Sequence, residues 1–219
     1  LKVLESPKSA SAEAFRNIRT NLQFMAPNQG AQVISVTSTI GGEGKTTICA
    51  NLGGIISLTK KKTIILNLDM RKPTLHKRFH LENKVGMSTI LSSHNTLPEV
   101  IQHTAYENLD IISSGPVPPN PSELIQGHRM EEVLEMLRKV YEVIILDTPP
   151  VGLVTDAQTL MRLSDATIYV LRAGKSKKDS LHYLEDLSKG GHISGLGVVL
   201  NGVDTKKQGY GCLLYTSPS

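Results

Sequence analysis

Thr39-Ile40-Gly41-Gly42-Glu43-Gly44-Lys45-Thr46-Thr47 is the stretch that decides how this chain is read. The β-branched run Val33-Ile34-Ser35-Val36-Thr37 leads into it, and the helix-compatible run Ile48-Cys49-Ala50-Asn51-Leu52 leads out. Strand, glycine turn, Lys-Thr and helix form the context of a phosphate-binding loop. Gly41, Gly42 and Gly44 let successive backbone N–H groups turn inward around phosphate oxygens, where a Cβ would obstruct. The helix N-terminus adds unpaired donors and a partial positive charge. Gly41, Gly42, Glu43, Gly44, Lys45, Thr46 and Thr47 are therefore the candidate contacts to a nucleoside triphosphate. Lys45 is expected to reach the β- and γ-phosphates, and the Thr46 hydroxyl to ligate Mg²⁺. The pattern G-x-x-x-x-G-K-[ST] has glycine where Thr39 stands, a place where another small residue can still turn.

Working outward, 219 residues suffice for one α/β domain and not for two large ones. An aromatic content of 4%, with no Trp, argues against a stacking surface for single-stranded nucleic acid, so no nucleic-acid partner is expected. Cys49 and Cys212 make neither a disulfide framework nor a metal pair, and Cys49 reads as a buried small hydrophobe. This points to a cytoplasmic chain. No apolar run approaches the length of a membrane span. The chain starts at Leu1 rather than Met, which leaves open an upstream, membrane-spanning portion.

Residues 1–10 read as an extended arm. Ser11 is the expected N-cap of a helix to Met25, with Ala14, Phe15, Ile18, Leu22 and Met25 at helical spacing. Its other face carries Glu13, Arg16 and Arg19, which on spacing alone form a solvated ion-pair ladder. A strand at 32–37 precedes the phosphate loop, and a helix from Lys45 to Leu58 follows it. Thr63-Ile64-Ile65-Leu66-Asn67-Leu68 has the continuous apolar character of a buried parallel strand. It ends in Asp69-Met70-Arg71-Lys72-Pro73, at the carboxyl end of a central strand, where open α/β sheets bind ligands. His76 and His80 have a helical metal-pair spacing but no third ligand. Gly115-Pro116-Val117-Pro118-Pro119-Asn120-Pro121-Ser122-Glu123-Leu124 is a stiff loop, with Ser122 expected to cap a helix. The strand Val143-Ile144-Ile145-Leu146 ends in Asp147, the expected carboxylate on the Mg²⁺ side. Helices near 156–164 and 178–189 alternate with strands near 166–172 and 195–201. This alternation predicts a P-loop NTPase-like, doubly wound, mostly parallel α/β sheet with helices on both faces, spanning 1–205. Residues 206–219 are expected to be a disordered tail with a foreign-looking end.

Together these segments resemble the bacterial tyrosine kinases, the cytoplasmic P-loop domains that regulate capsular and exopolysaccharide synthesis. The resemblance runs from about Ser6 to Gly211. It is carried by Glu13-x-x-Arg16-x-x-Arg19, Gly42-Glu43-Gly44-Lys45-Thr46, Leu68-Asp69-Met70-Arg71-Lys72-Pro73, the proline-rich signature, Ile145-Leu146-Asp147-Thr148-Pro149-Pro150, Leu200-Asn201 and Gly209-Tyr210-Gly211. Septum-positioning and partitioning ATPases are similar, but they carry a lysine where Ile40 stands. The resemblance implies a protein-tyrosine autokinase using ATP and Mg²⁺, at the inner face of the cell membrane. Lys45, Asp69, Arg71 and Asp147 would be catalytic, with Thr46, Asp69 and Asp147 around the metal. Asn201 would lie at the adenine and Tyr210 would accept the phosphoryl group. It also implies a ring of like chains joined through Glu13, Arg16 and Arg19, a transmembrane polysaccharide co-polymerase as activator, and a phosphotyrosine phosphatase as antagonist. One position departs from the family pattern D-x-D-x-R. Asn67 replaces its first acid, and an amide cannot accept a proton from tyrosine at neutral pH.

Overall fold

A computed structural model describes residues 1–25, 30–152, 155–190, 193, 195–204 and 214–216. The strands are β1 (Gln32–Ser38), β2 (Thr63–Asn67), β3 (Ile101–His103), β4 (Leu109–Ile112), β5 (Val143–Asp147), β6 (Ala166–Arg172), β7 (Leu196–Asn201) and β8 (Leu214–Thr216). The helices are α1 (Lys2–Glu5), α2 (Ala10–Met25), α3 (Lys45–Ser57), α4 (Leu75–Phe79), α5 (Met87–Leu91), α6 (Leu97–Val100), α7 (Pro121–Gln126), α8 (His128–Arg138), α9 (Asp156–Arg162) and α10 (Asp179–Lys189).

One sheet holds the strands in the order β3-β4-β2-β5-β1-β6-β7-β8. The six inner strands are parallel, and β3 and β8 pair antiparallel at the edges. Ile64-Ile65-Leu66 of β2 and Val143-Ile144-Ile145-Leu146 of β5 are continuous apolar runs because helices cover both faces, and the buried hydroxyls of Ser35 on β1 and Thr167 on β6 hydrogen-bond each other at 2.9 Å. Alternation assigns the faces. Ile34, Val36, Ile65, Val143, Ile145 and Ile168 point to a core beneath α2 and α3, whereas Val33, Ile64, Leu66, Ile144 and Leu146 point to a second core containing Met130, Val133 and Leu137 of α8. By the same alternation Asn67 follows Ile65 and Asp147 follows Ile145. Their Cα atoms are register partners, so both strand ends project toward α3.

The run before the phosphate loop is β1, which pairs with β5 and β6, and the run after it is α3, which the domain encloses. From Ile48 to Ser57 every residue of α3 is buried. Gly53 permits this enclosure: a Cβ there would lie 2.8 Å from Ile65 Cδ1 and 3.1 Å from Leu109 Cδ1. Against it packs α2, through Ala12, Phe15, Ile18 and Leu22.

Four local expectations change. The arm at 1–10 contains α1, whose Val3 is fully buried and whose Val3 N–H reaches Asn51 Oδ1 at 3.4 Å. Ser9, not Ser11, caps α2, its Oγ accepting the Ala12 N–H at 3.2 Å. In the proline-rich segment Pro121 takes the first helical position of α7 and Asn120 precedes it, which suits a residue lacking an N–H. Ser122 is therefore inside the helix. In the tail, expected to lack regular structure, Leu214–Thr216 pair with β7 and cover its otherwise open edge.

Candidate nucleotide-binding site

The carboxyl ends of β1, β5 and β2 converge on the N-terminus of α3. Gly42 and Gly44 adopt φ of 80° and 106°, the left-handed region that turns the loop back on itself. A side chain on Gly44 would also collide with the Asn201 amide. Lys45 begins α3 and is 6% exposed, so its ammonium group is held within the loop's enclosure. The Thr46 hydroxyl donates to Asp147 Oδ2 at 2.7 Å, joining the helix start to the end of β5. Thr74 donates to the Thr46 oxygen at 3.4 Å and Arg78 Nη2 to Thr47 Oγ1 at 2.6 Å, so the segment after β2 closes over the same helix turn.

Asp147 is 1% exposed, and its Oδ1 has no protein partner. Burial pushes its carboxyl up to about 6, against the Thr46 hydrogen bond and the Lys45 charge, and Asp69 adds repulsion in the same direction as burial. Burial likewise raises Asp69, opposed first by Lys45, while Asp69 Oδ1 accepts the Lys72 N–H at 3.2 Å. Two carboxyl groups thus resist ionisation beside one lysine, as expected of a site that takes up a cation and an anion together. The donor set fits Mg²⁺. It consists of hard oxygens from the Thr46 hydroxyl and the Asp147 carboxylate, whose Oδ1 has no hydrogen-bond partner.

Asn67 is fully buried beside this pair, and neither its Oδ1 nor its Nδ2 has a partner. A buried amide without a hydrogen bond is costly, and its register partner Asp147 carries the unpartnered Oδ1.

Several expected site residues face elsewhere. Arg71 Nη1 pairs with Asp156 at 2.6 Å and Nη2 donates to Ser122 Oγ at 2.9 Å. The guanidinium therefore ties the β2 exit to α9 and to the proline-rich segment. The Glu43 side chain turns outward, to Ile40 N–H at 2.9 Å and the Ser176 hydroxyl. Asn201 Nδ2 donates to the Glu43 carbonyl at 2.9 Å, which puts β7 against the loop. On α2, Glu13 pairs with Arg16 at 2.7 Å and Arg16 also donates to the Pro7 carbonyl, while Arg19 Nη1 reaches the Ile55 carbonyl at 3.4 Å. Tyr210 lies outside the described residues.

Sequence reasoning missed Asp156, Arg172 and Ser176. Asp156 opens α9. It is fully buried, with its Oδ2 on Arg71 and its Oδ1 unpartnered. The only prior signal was an arginine in a family motif needing a counter-charge from somewhere. Arg172 and Ser176 carried no signal, because the turn that holds them meets the phosphate loop only through the sheet order.

The geometry agrees with comparisons to known proteins. Residues 31–187, more than half of the chain, match the family described as an AAA domain. The tyrosine-protein kinase YwqD of Bacillus subtilis is 34% identical over 93% of this chain and 86% of its own length. The tyrosine-protein kinase wzc of Salmonella typhimurium is 34% identical over 96% of this chain, which spans 29% of that longer protein. Among solved structures, the kinase domain of the Escherichia coli tyrosine kinase ETK superposes with a TM-score of 0.87 at 30% identity, covering 92% of this chain and 79% of that one. The septum site-determining protein MinD of Pyrococcus horikoshii superposes at 0.66 with 24% identity over 78% of this chain and 70% of its own, a likeness of fold alone. A P-loop site built on these motifs, with 34% identity to YwqD over most of both chains, makes this chain a member of the bacterial tyrosine-protein kinase family.

Proposed function

We propose that this chain is an ATP-dependent protein-tyrosine autokinase serving capsular or exopolysaccharide synthesis. The observation that carries the reading is the Thr46–Asp147 bridge, with Asp147 Oδ1 unpartnered and Lys45 buried at the same helix start. Thr46 and Asp147 would hold Mg²⁺, which when bound supplies charge neutralisation across the β- and γ-phosphates. Asp69 lies beside them as a second carboxylate. Lys45 stabilises negative charge on the transferring phosphoryl group. A tyrosine oxygen bonds to the γ-phosphorus as the bond to the β-phosphate oxygen breaks, and ADP leaves. The phenolic proton passes to Asp69, since Asn67 offers no basic group there. Little covalent work falls to the protein, so rate depends on positioning the acceptor.

Tyr210 is the proposed acceptor, presented by a neighbour in a ring joined through Glu13, Arg16 and Arg19. The exposed Glu13–Arg16 pair supports that contact only as an available charged face. A transmembrane polysaccharide co-polymerase is the proposed activator, which would hold the kinase at the cytoplasmic face of the membrane. The threefold greater length of the wzc relative supports a fused membrane portion in some members. A phosphotyrosine phosphatase would reverse the mark. Purified protein with Mg-ATP, followed by phosphotyrosine mass spectrometry and an ADP assay, tests the reading. Phosphotyrosine is expected. ADP without phosphotyrosine would make the chain an ATPase switch, and neither product would make it a nucleotide-binding scaffold.

A further inference from the structure

Glu43 sits within an anion-binding loop, where its carboxylate would repel phosphate, yet it is fully buried. It faces the outer side of the loop. Oε2 accepts the Ile40 N–H at 2.9 Å, and Oε1 accepts the Ser176 hydroxyl. Ser176 Oγ in turn accepts the Arg172 N–H at 2.7 Å, so the serine is fixed by its own turn between β6 and α10. Two more donors reach the loop from the same side. Arg172 Nη1 binds the Gly42 carbonyl at 3.0 Å, and Asn201 Nδ2 binds the Glu43 carbonyl at 2.9 Å. The Lys175 ammonium stands where a Cβ on Gly42 would project.

The consequence follows from the planarity of the peptide. In a trans peptide the C=O of one residue and the N–H of the next point in opposite directions. Holding the Gly42 and Glu43 carbonyls outward therefore aims the N–H groups of Glu43 and Gly44 inward, at the place where phosphate oxygens lie.

We propose that Glu43 is a positioning residue. With Ser176, Arg172 and Asn201 it forms an outer brace that preorganises the loop's inward N–H groups for the diphosphate of a nucleotide. Arg172 and Lys175 offset the carboxylate's charge at the loop crest. The brace makes part of the phosphate affinity depend on β6, α10 and β7, elements outside the phosphate-loop motif. This inference rests on the nucleotide-binding reading and is independent of tyrosine chemistry.

Binding of a fluorescent ADP analogue, measured with Mg²⁺, tests it on the full chain. Glutamine preserves the brace, because Oε1 can accept from Ile40 while Nε2 donates to Ser176 Oγ. Glu43→Ala is expected to weaken binding ~10-fold and Ser176→Ala ~3-fold, while Glu43→Gln stays within ~2-fold of the unaltered chain. The Glu43→Ala/Ser176→Ala double variant should bind like Glu43→Ala alone, because one link is lost in either case. Weak binding by Glu43→Gln equal to that of Glu43→Ala, or unchanged binding by Glu43→Ala, overturns the brace. If Glu43→Ala does not fold by circular dichroism, unchanged binding by Ser176→Ala overturns it instead. Absence of ADP binding by the unaltered chain would overturn the nucleotide reading itself, and the brace with it.

Discussion

The phosphate loop and the exit of β2 flank Asp147 from opposite sides, and they are built on different principles. In the loop it is the backbone that is shaped for binding. Gly42 and Gly44 supply left-handed turns, and the only acidic side chain, Glu43, is fastened outside. At the β2 exit the side chains matter. Asn67 and Asp69 face the site, while Arg71 anchors the segment through Asp156 and Ser122. A backbone site tolerates few residue types and is recognisable. A side-chain site can exchange an acid for an amide, as at position 67, and keep its shape while changing its chemistry.

The largest expected effect breaks the loop half. Lys45→Met should lower phosphotyrosine formation by ~100-fold or more, because it removes the buried cation at the transferring group. A loss below ~10-fold, with the variant folded, would mean that charge stabilisation lies elsewhere.

Asp147 joins both halves and gives a pH signature. Its carboxyl ionises near 3.8 when unfolded and holds its proton to about 6 when folded. The unfolded state therefore releases the proton first. Metal-free protein should lose on the order of 3 kcal/mol of stability as pH rises from about 4 to about 6, then level off. Asp147→Asn should remove that slope in urea titrations and also abolish the gain in nucleotide affinity that Mg²⁺ provides. A slope unchanged in the variant would assign the effect to other groups.

Arg71→Met tests the anchoring half. It leaves Asp156 buried without its counter-charge, a loss of about 2–3 kcal/mol given that the guanidinium is partly exposed. Adding Asp156→Asn should recover part of that loss in urea unfolding. No recovery would mean that the pair does not hold α9 and the β2 exit together.

The smallest effect sharpens the contrast between the two halves. Asn67→Asp restores an acid at the β2 end and should raise phosphotyrosine formation severalfold at saturating Mg-ATP. Equal rates in the two proteins would show that Asn67 does not weaken catalysis and that Asp69 alone suffices as proton acceptor.

Particular residues explain what was legible. β2 and β5 could be read because two covered faces favour continuous apolar runs, and the loop because Gly-Lys-Thr between strand and helix has few other uses. Helix starts were read less well. Ser9 and Ser11 are both good caps, and the choice depended on α1 packing its Val3 against α3. Ser122 looked like a cap until Pro121 took the first helical position and Arg71 took the hydroxyl. The site shows the same division. Lys45, Thr46 and Asp147 came together as expected, because a helix start and a neighbouring strand end must meet in this topology. Arg71, expected to be catalytic, bonds to Asp156, and Glu43 and Asn201, expected at the nucleotide, bond to Ile40 and to the Glu43 carbonyl.

By itself, the sequence determined the strand–loop–helix unit, the faces of the strands, and the residue types at the phosphate loop. Each follows from preferences of contiguous residues, whether glycine torsions, side-chain alternation or the helix N-terminus. Only the tertiary structure decided that Arg71 meets Asp156 across 85 positions and that Glu43 meets Ser176 across 133. Such pairs are set by the order of strands in the sheet, and no local preference along the chain encodes which distant turn will arrive beside a given loop.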